Sequence, residues 1–199
     1  MDKIIITIGR QYGSGGKEIG EKLAKEFGIP FYDKELLTEA AKKSGICKEM
    51  FETHDEKPTN SFLYSLVVGS YASGTTPMNH KLFLAQFETI KEIAEKGSCV
   101  ILGRCADYAL EDNPNTVNVF IHADMKTRIA RGIEYYGLDS KKAEDIILKT
   151  DKQRSSYYNF YSGKKWAEAD SYDLSINSGK LGINNSVRLI KDFVEMAGK

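Results

Sequence analysis

Residues 4–17 read Ile-Ile-Ile-Thr-Ile-Gly-Arg-Gln-Tyr-Gly-Ser-Gly-Gly-Lys. The apolar run at 4–8 is the signature of a buried strand, and it ends in a loop with glycine at 13, 15 and 16 before Lys17. Beyond the lysine, Ile19, Leu23 and Phe27 recur at helical spacing, and Gly28 and Pro30 stop the repeat. A strand, a glycine loop, a lysine and a helix together make a phosphate cradle. Glycines let backbone N–H groups turn toward one point, the helix N-terminus adds partial positive charge, and the lysine reaches outer phosphates. A first β-strand at the N-terminus is also where nucleotide-binding α/β folds put such a loop. The match to G-x-x-x-x-G-K-[ST] is incomplete, because Gln11 stands where glycine is expected and Glu18 where a metal-binding hydroxyl is expected. Read without context, the alternative is a glycine-rich strand-to-helix turn with a surface lysine, the lesser of the two readings.

The rest of the chain supplies context. Its 199 residues suffice for one domain with a full core. Twenty-eight basic and 28 acidic residues give zero net charge, which argues against nucleic acid as a partner. No apolar stretch reaches membrane-spanning length, and the N-terminus shows no signal-peptide pattern. Cys47, Cys99 and Cys105 are odd in number and lack metal-ligand spacing, so reduced thiols and a cytoplasmic location are expected.

Strand and helix signals alternate. A short strand is expected at 29–32, then a helix through Leu36, Leu37, Ala40 and Ala41. Loops are expected at 53–61 and 73–79, with a short helix over 62–72 between them. Phe83, Phe87, Ile90 and Ala94 mark a helix stopped by Gly97, and 99–102 and 117–121 read as strands. A helix follows from about Asp124, a long polar helix spans about 141–161, a strand covers 173–176, and Val187 to Val194 mark a closing helix. This alternation implies a parallel sheet covered on both faces.

Ligands of such sheets bind beyond the carboxyl ends of the strands, where charged residues gather here. Asp33 and Lys34 follow the second strand, Gly103 and Arg104 follow the third, and Asp107 lies one turn later. Arg128 and Arg131 share one helical face, and Lys149, Asp151, Lys152 and Arg154 lie in the long polar helix. Such local positive potential in a neutral chain suits a compact, multiply charged anion. The alternative is a set of solvated helix faces paired with neighbouring carboxylates. The aromatic residues Tyr157, Tyr158, Phe160, Tyr161 and Trp166 read as core or lid packing, and His54, His80 and His122 as structural.

Taken together, the chain resembles the cytidylate kinase-like family, a branch of the nucleoside monophosphate kinases with the phosphate-loop fold. The resemblance rests on Gly9 to Gly20, Ile29 to Lys34, Val100 to Asp107, Val119 to Asp124, Asp151 to Tyr158 and Tyr172 to Asn177, in that order and spacing. It implies a three-layer α/β/α domain over 1–199 with a central parallel sheet. An inserted helical acceptor region at about 33–96 and a mobile lid at about 128–166 complete it. It further implies that Gly13, Ser14, Gly15, Gly16 and Lys17 cradle ATP, that Asp33, Arg104 and Asp107 lie on the acceptor side, and that Lys17, Arg128, Arg131 and Arg154 act on the transferred phosphoryl group. Mg²⁺ and a nucleoside monophosphate such as CMP or dCMP are the implied cofactor and substrate. Three departures stand out. Glu18 and Ile19 follow the loop lysine in place of a small residue and a hydroxyl, which leaves the Mg²⁺ ligands unassigned. The family's Asp-Gly-Arg-Asp appears as Leu102-Gly103-Arg104-Cys105, and 53–80 carries no cytosine-reading pattern. A kinase of another small acceptor and a non-catalytic nucleotide-binding module are therefore the alternatives, with the retained arginines favouring an enzyme.

Overall fold

Ile5, Ile6 and Ile8 are wholly buried, as a strand covered on both faces requires. They belong to β1 (Ile5–Arg10), the centre of a five-stranded sheet in a computed structural model that describes residues 3–46, 48–54 and 78–198. The other strands are β2 (Phe31–Tyr32), β3 (Cys99–Leu102), β4 (Thr116–His122) and β5 (Leu174–Asn177). The order is β2-β3-β1-β4-β5 and every pairing is parallel, with Ile5 opposite Cys99 on one side and Thr116 on the other. The expected parallel sheet is therefore present.

Side-chain alternation sorts the core into two layers. Ile6, Ile8, Val100 and Leu102 pack with Ile19 and Leu23 of α1 (Gly16–Phe27) and with Val187, Ile190 and Val194 of α8 (Ser178–Met196). Ile5, Cys99 and Ile101 face the opposite layer. There they meet Leu36 of α2 (Lys34–Ser44), Ile90 and Ile93 of α4 (Met78–Lys96), and Ala106 and Ala109 of the one-turn α5 (Ala106–Ala109). A short α3 (Lys48–His54) packs Phe51 against Ala40 and Leu82. The remaining helices, α6 (Met125–Tyr136) and α7 (Ala143–Ser162), stand beyond the carboxyl edge of the sheet.

Several boundaries differ from the sequence expectation. The closing helix begins at Ser178, nine residues before its first core-facing valine, because the Asn177 side chain accepts the Lys180 N–H and starts the helix early. A break at Gly182, with φ 73° and ψ 166°, then re-aims the chain toward the core. Met78 and Asn79 are helical rather than loop, and Thr53 and His54 end α3. Cys47, the rest of the loops at 53–61 and 73–79, and the helix at 62–72 lie outside the described residues.

Candidate active site

The loop between β1 and α1 is built without spare room. The Gln11 N–H still donates to the Ile121 carbonyl of β4 at 3.0 Å, so the strand hands the chain to the loop in register. Gly13 and Gly15 then adopt φ of +77° and +81°, a region costly for other residues. A Cβ at Gly13 would lie 2.6 Å from the Arg128 carbonyl oxygen, and one at Gly16 would lie 2.6 Å from Arg10 Cβ. Ser14 is buried beneath the loop. Its hydroxyl donates to the Gln11 carbonyl at 2.8 Å, and its carbonyl accepts from the Ser178 hydroxyl at 2.6 Å. Gly15, the residue before α1, offers no side-chain cap, so the first N–H groups of the helix face the loop opening without one.

A chain of charges crosses from this loop to the far side of the cavity. Lys17 Nζ donates to Asp33 Oδ2 at 3.0 Å, and Arg104 Nη1 donates to Asp33 Oδ1 at 3.2 Å and to the Leu102 carbonyl at 3.0 Å. The side chains grade from 44% exposed at Lys17 through 12% at Asp33 to 2% at Arg104. Burial pushes the Asp33 carboxyl up, but Arg104 and Lys17 outweigh it and hold it below the usual carboxylate range. The hydrogen bond to Asp33 raises Lys17 in turn, against the opposing effect of its burial. Arg104 gets its position from a left-handed turn in which Gly103, Arg104 and Cys105 have φ of 71°, 55° and 56°. Two non-glycine residues in that region store strain, on the order of 1–2 kcal/mol each.

A cavity of about 460 Å³ gathers the loop at Gly13, Gly15, Gly16 and Lys17, then Asp33 and Arg104, and lastly Tyr12, Tyr136, Thr150, Gln153 and Arg154. Arg154 donates to the Arg10 carbonyl at 3.3 Å and lies over the Tyr12 ring at 5.7 Å.

Four expected site residues lie off this cavity, Ser14 being the one already placed beneath the loop. Arg128 is buried with its guanidinium on Asp151 and on the Tyr12 carbonyl, the latter at 3.4 Å. Arg131 donates to Glu18 Oε2 at 2.8 Å. Asp107 borders a smaller recess behind Arg104 and Arg154, where the Tyr158 hydroxyl donates to its Oδ2 at 2.6 Å. Burial raises the Asp107 carboxyl despite that bond. Glu18 stands where a metal-binding hydroxyl is expected. It bridges Arg131 and Lys22, the latter at 3.3 Å, and these cations outweigh its burial and keep it ionised.

The described residues do not fit a protein-held Mg²⁺. Among the described residues no three metal-ligating side chains converge. The carboxylates at the loop, Glu18, Asp33 and Asp151, are all ion-paired. Asp151 and Tyr136 both contact Tyr12 in the loop, a role the sequence did not give them because these partners are far apart along the chain.

The family described as cytidylate kinase-like matches residues 5–180. Curated relatives include cytidylate kinases from Pyrococcus horikoshii, 24% identical over 98% of this chain and 90% of the relative, and from Methanopyrus kandleri, 21% identical over 96% and 93%. Among solved structures, an uncharacterized protein from Eubacterium ventriosum is 34% identical with a TM-score of 0.75, covering 97% of this chain and 99% of that one. Shikimate kinase from Bacteroides thetaiotaomicron shares the fold at 17% identity and a TM-score of 0.58, over 98% and 99%. The chain belongs to the cytidylate kinase-like family and is a small-molecule kinase with the phosphate-loop fold.

Proposed function

We propose that the protein transfers the terminal phosphoryl group of ATP to a nucleoside monophosphate, with CMP and dCMP the first candidates. The observation that carries this reading is the Lys17–Asp33–Arg104 chain spanning one cavity from the phosphate loop to the end of β3. The donor phosphates lie on the amides of residues 13–17, where α1 begins uncapped, and Lys17 exchanges Asp33 for phosphate oxygens. The acceptor phosphate lies toward Arg104, and Asp33, released by Lys17, accepts from an acceptor hydroxyl. Phosphoryl transfer asks the protein for in-line positioning and charge neutralisation rather than covalent chemistry. Arg154 already reaches the cavity and neutralises charge on the transferred group. Arg131 reaches it only by leaving Glu18. Enclosure between the loop and α7 limits water and so limits futile hydrolysis.

Leu102 and Cys105, standing where the family's two carboxylates are expected, favour a second reading with another small phosphorylated or hydroxylated acceptor. A coupled assay of ATP consumption over nucleoside mono- and diphosphates and small hydroxyl compounds, with and without Mg²⁺, separates these readings. Turnover with CMP or dCMP is the expected result. Turnover only with a non-nucleotide overturns the acceptor, and ATP binding with no turnover on any acceptor overturns the kinase reading for this chain.

A further inference from the structure

The peptide groups of Tyr12, at the crown of the phosphate loop, are held on both sides by residues from α6 and α7. The Tyr12 N–H donates to Asp151 Oδ1 at 2.7 Å, and its carbonyl accepts from Arg128 Nη1 at 3.4 Å. Asp151 and Arg128 are also paired with each other, and both side chains are at least 87% buried. A second, independent contact lies one residue on, where the Arg128 carbonyl faces Gly13 so closely that no Cβ would fit. One helical turn beyond Asp151, Arg154 grips the Arg10 carbonyl at 3.3 Å. The loop is thus fastened to α7 at residues 10 and 12 and to α6 at residues 12 and 13. The Arg128 Nη1 donates to both Asp151 and the Tyr12 carbonyl, and Arg128 does not border the cavity.

We infer that Asp151 is a positioning residue for phosphoryl transfer, which with Arg128 as its counter-ion fixes the curvature of the phosphate loop. Arg128 then acts as a buried loop clamp rather than as a cation on the transferred phosphoryl group. The physical case is charge and geometry. A carboxylate one-to-one with a guanidinium in a buried site has no surplus charge to lend, and separating the pair is costly. An ionised carboxylate is also a stronger acceptor for a backbone N–H than a carbonyl is. The loop's amides must converge on one anion, so an error in the Tyr12 peptide plane is passed to residues 13–17. Because Asp151 and Arg154 share α7, any shift of α7 alters the loop from the same element that lines the cavity.

The part of this inference that concerns phosphoryl transfer rests on the ATP reading above, and the test separates the two. In the ligand-free protein, amide hydrogen exchange is followed over residues 11–17 and, as an internal control, over 99–102 in β3. Asp151→Ala should speed exchange of the loop about 10-fold, the loss of one hydrogen bond to a charged group, while β3 stays protected. Asp151→Asn keeps an oxygen for the Tyr12 N–H but strips the buried Arg128 of its counter-charge, so it should lower stability as alanine does while speeding loop exchange less, a difference that pure charge balance for Arg128 would not produce. The double variant Asp151→Leu with Arg128→Met replaces the buried pair by apolar groups of similar shape and so guards against misfolding. It should loosen the loop as Asp151→Ala does. ATP affinity should fall about 10-fold in Asp151→Ala and in the double variant, and by no more in the double variant than in the single, since both remove the same clamp. Wild-type loop exchange in the double variant overturns the clamp, as do equal effects of alanine and asparagine at 151 on loop exchange. If wild-type protein binds no ATP, the ATP reading fails, and the exchange measurement still decides the clamp.

Discussion

Asp33 and Asp107 are both buried carboxyls at strand ends, yet their surroundings drive them in opposite directions. Asp33 meets Arg104 and Lys17, which outweigh its burial and hold it below the ordinary range. It therefore contributes stability that is present above the unfolded carboxyl pKa and is lost as the pH falls through its lower folded value. Asp33→Asn should lower stability at pH 7 by about 3 kcal/mol, because it leaves the buried Arg104 without a counter-charge. That difference should shrink below about pH 4. Urea denaturation at pH 7 and pH 3 checks it, and a pH-independent difference would contradict the ion-pair account. At Asp107 burial outweighs the Tyr158 hydroxyl, the local backbone N–H groups and Lys164, and its carboxyl is raised. Its contribution is present below the unfolded pKa and is lost as the pH rises through the folded one. Asp107→Asn keeps an acceptor for Tyr158 and should stabilise the protein at pH 7, the gain fading toward pH 4. Lower stability of this variant at pH 7 would show that Asp107 is held ionised. Sequence reading reached Asp33 and Arg104 because each lies just past the end of a strand. It named Asp151 but gave it no role, because its partner is a backbone amide 139 positions away.

At the scale of elements, α7 accounts for how the lid-side region joins the rest. Its apolar residues do not form a single stripe. Ala143 and Ile147 are buried near its start, where Ile147 lies beside Gly132 of α6, while Tyr157 and Tyr158 are buried near its end. The far end meets α4 through an aromatic joint. Phe83 stacks on Tyr161 with ring centroids 4.0 Å apart, the Tyr157 hydroxyl donates to Gln86 Oε1 at 3.1 Å, and the Tyr161 hydroxyl donates to the Asn79 carbonyl at 3.2 Å. The expectation that these aromatics pack rather than bind a base agrees with this arrangement. Phe83→Ala should cost about 3 kcal/mol by opening a cavity in the joint, read as a lower denaturation midpoint. Loss below about 1 kcal/mol would mean that α4 and α7 are joined elsewhere. The expected span of about 141–161 matches α7 to within two residues. The short α3 was not legible, since seven residues with only the adjacent Met50 and Phe51 packed on the core cluster leave no periodic signal. The early start of α8 was also missed, because its first turns carry an exposed Leu181 and no core-facing repeat.

At the scale of the whole molecule, strand order decides where the site falls. The chain leaves β1 for α1 and returns on one side of β1 as β3 and on the other as β4, so the carboxyl end of β1 is the crevice where neighbouring connections diverge. The continuous apolar strands made that layering legible from sequence, whereas the pairing of charges across the crevice depends on contacts between distant segments. A protein of zero net charge places Lys17, Arg104 and Arg154 around one cavity, so its attraction for a polyanion is local and screened over about 10 Å at 0.1 M salt. Ligand linkage turns this into a measurement. ATP at about 100 times its Kd should stabilise the native state by about 2.7 kcal/mol, which for a chain of this size is a rise in melting temperature of about 5–10 °C. The rise should shrink as salt increases. Lys17→Ala removes the exposed end of the charge chain and leaves the Asp33–Arg104 pair in place, so the variant should melt within a few degrees of wild type while losing most of the ATP-induced rise. An equal rise in wild type and Lys17→Ala would put the nucleotide somewhere other than the phosphate loop.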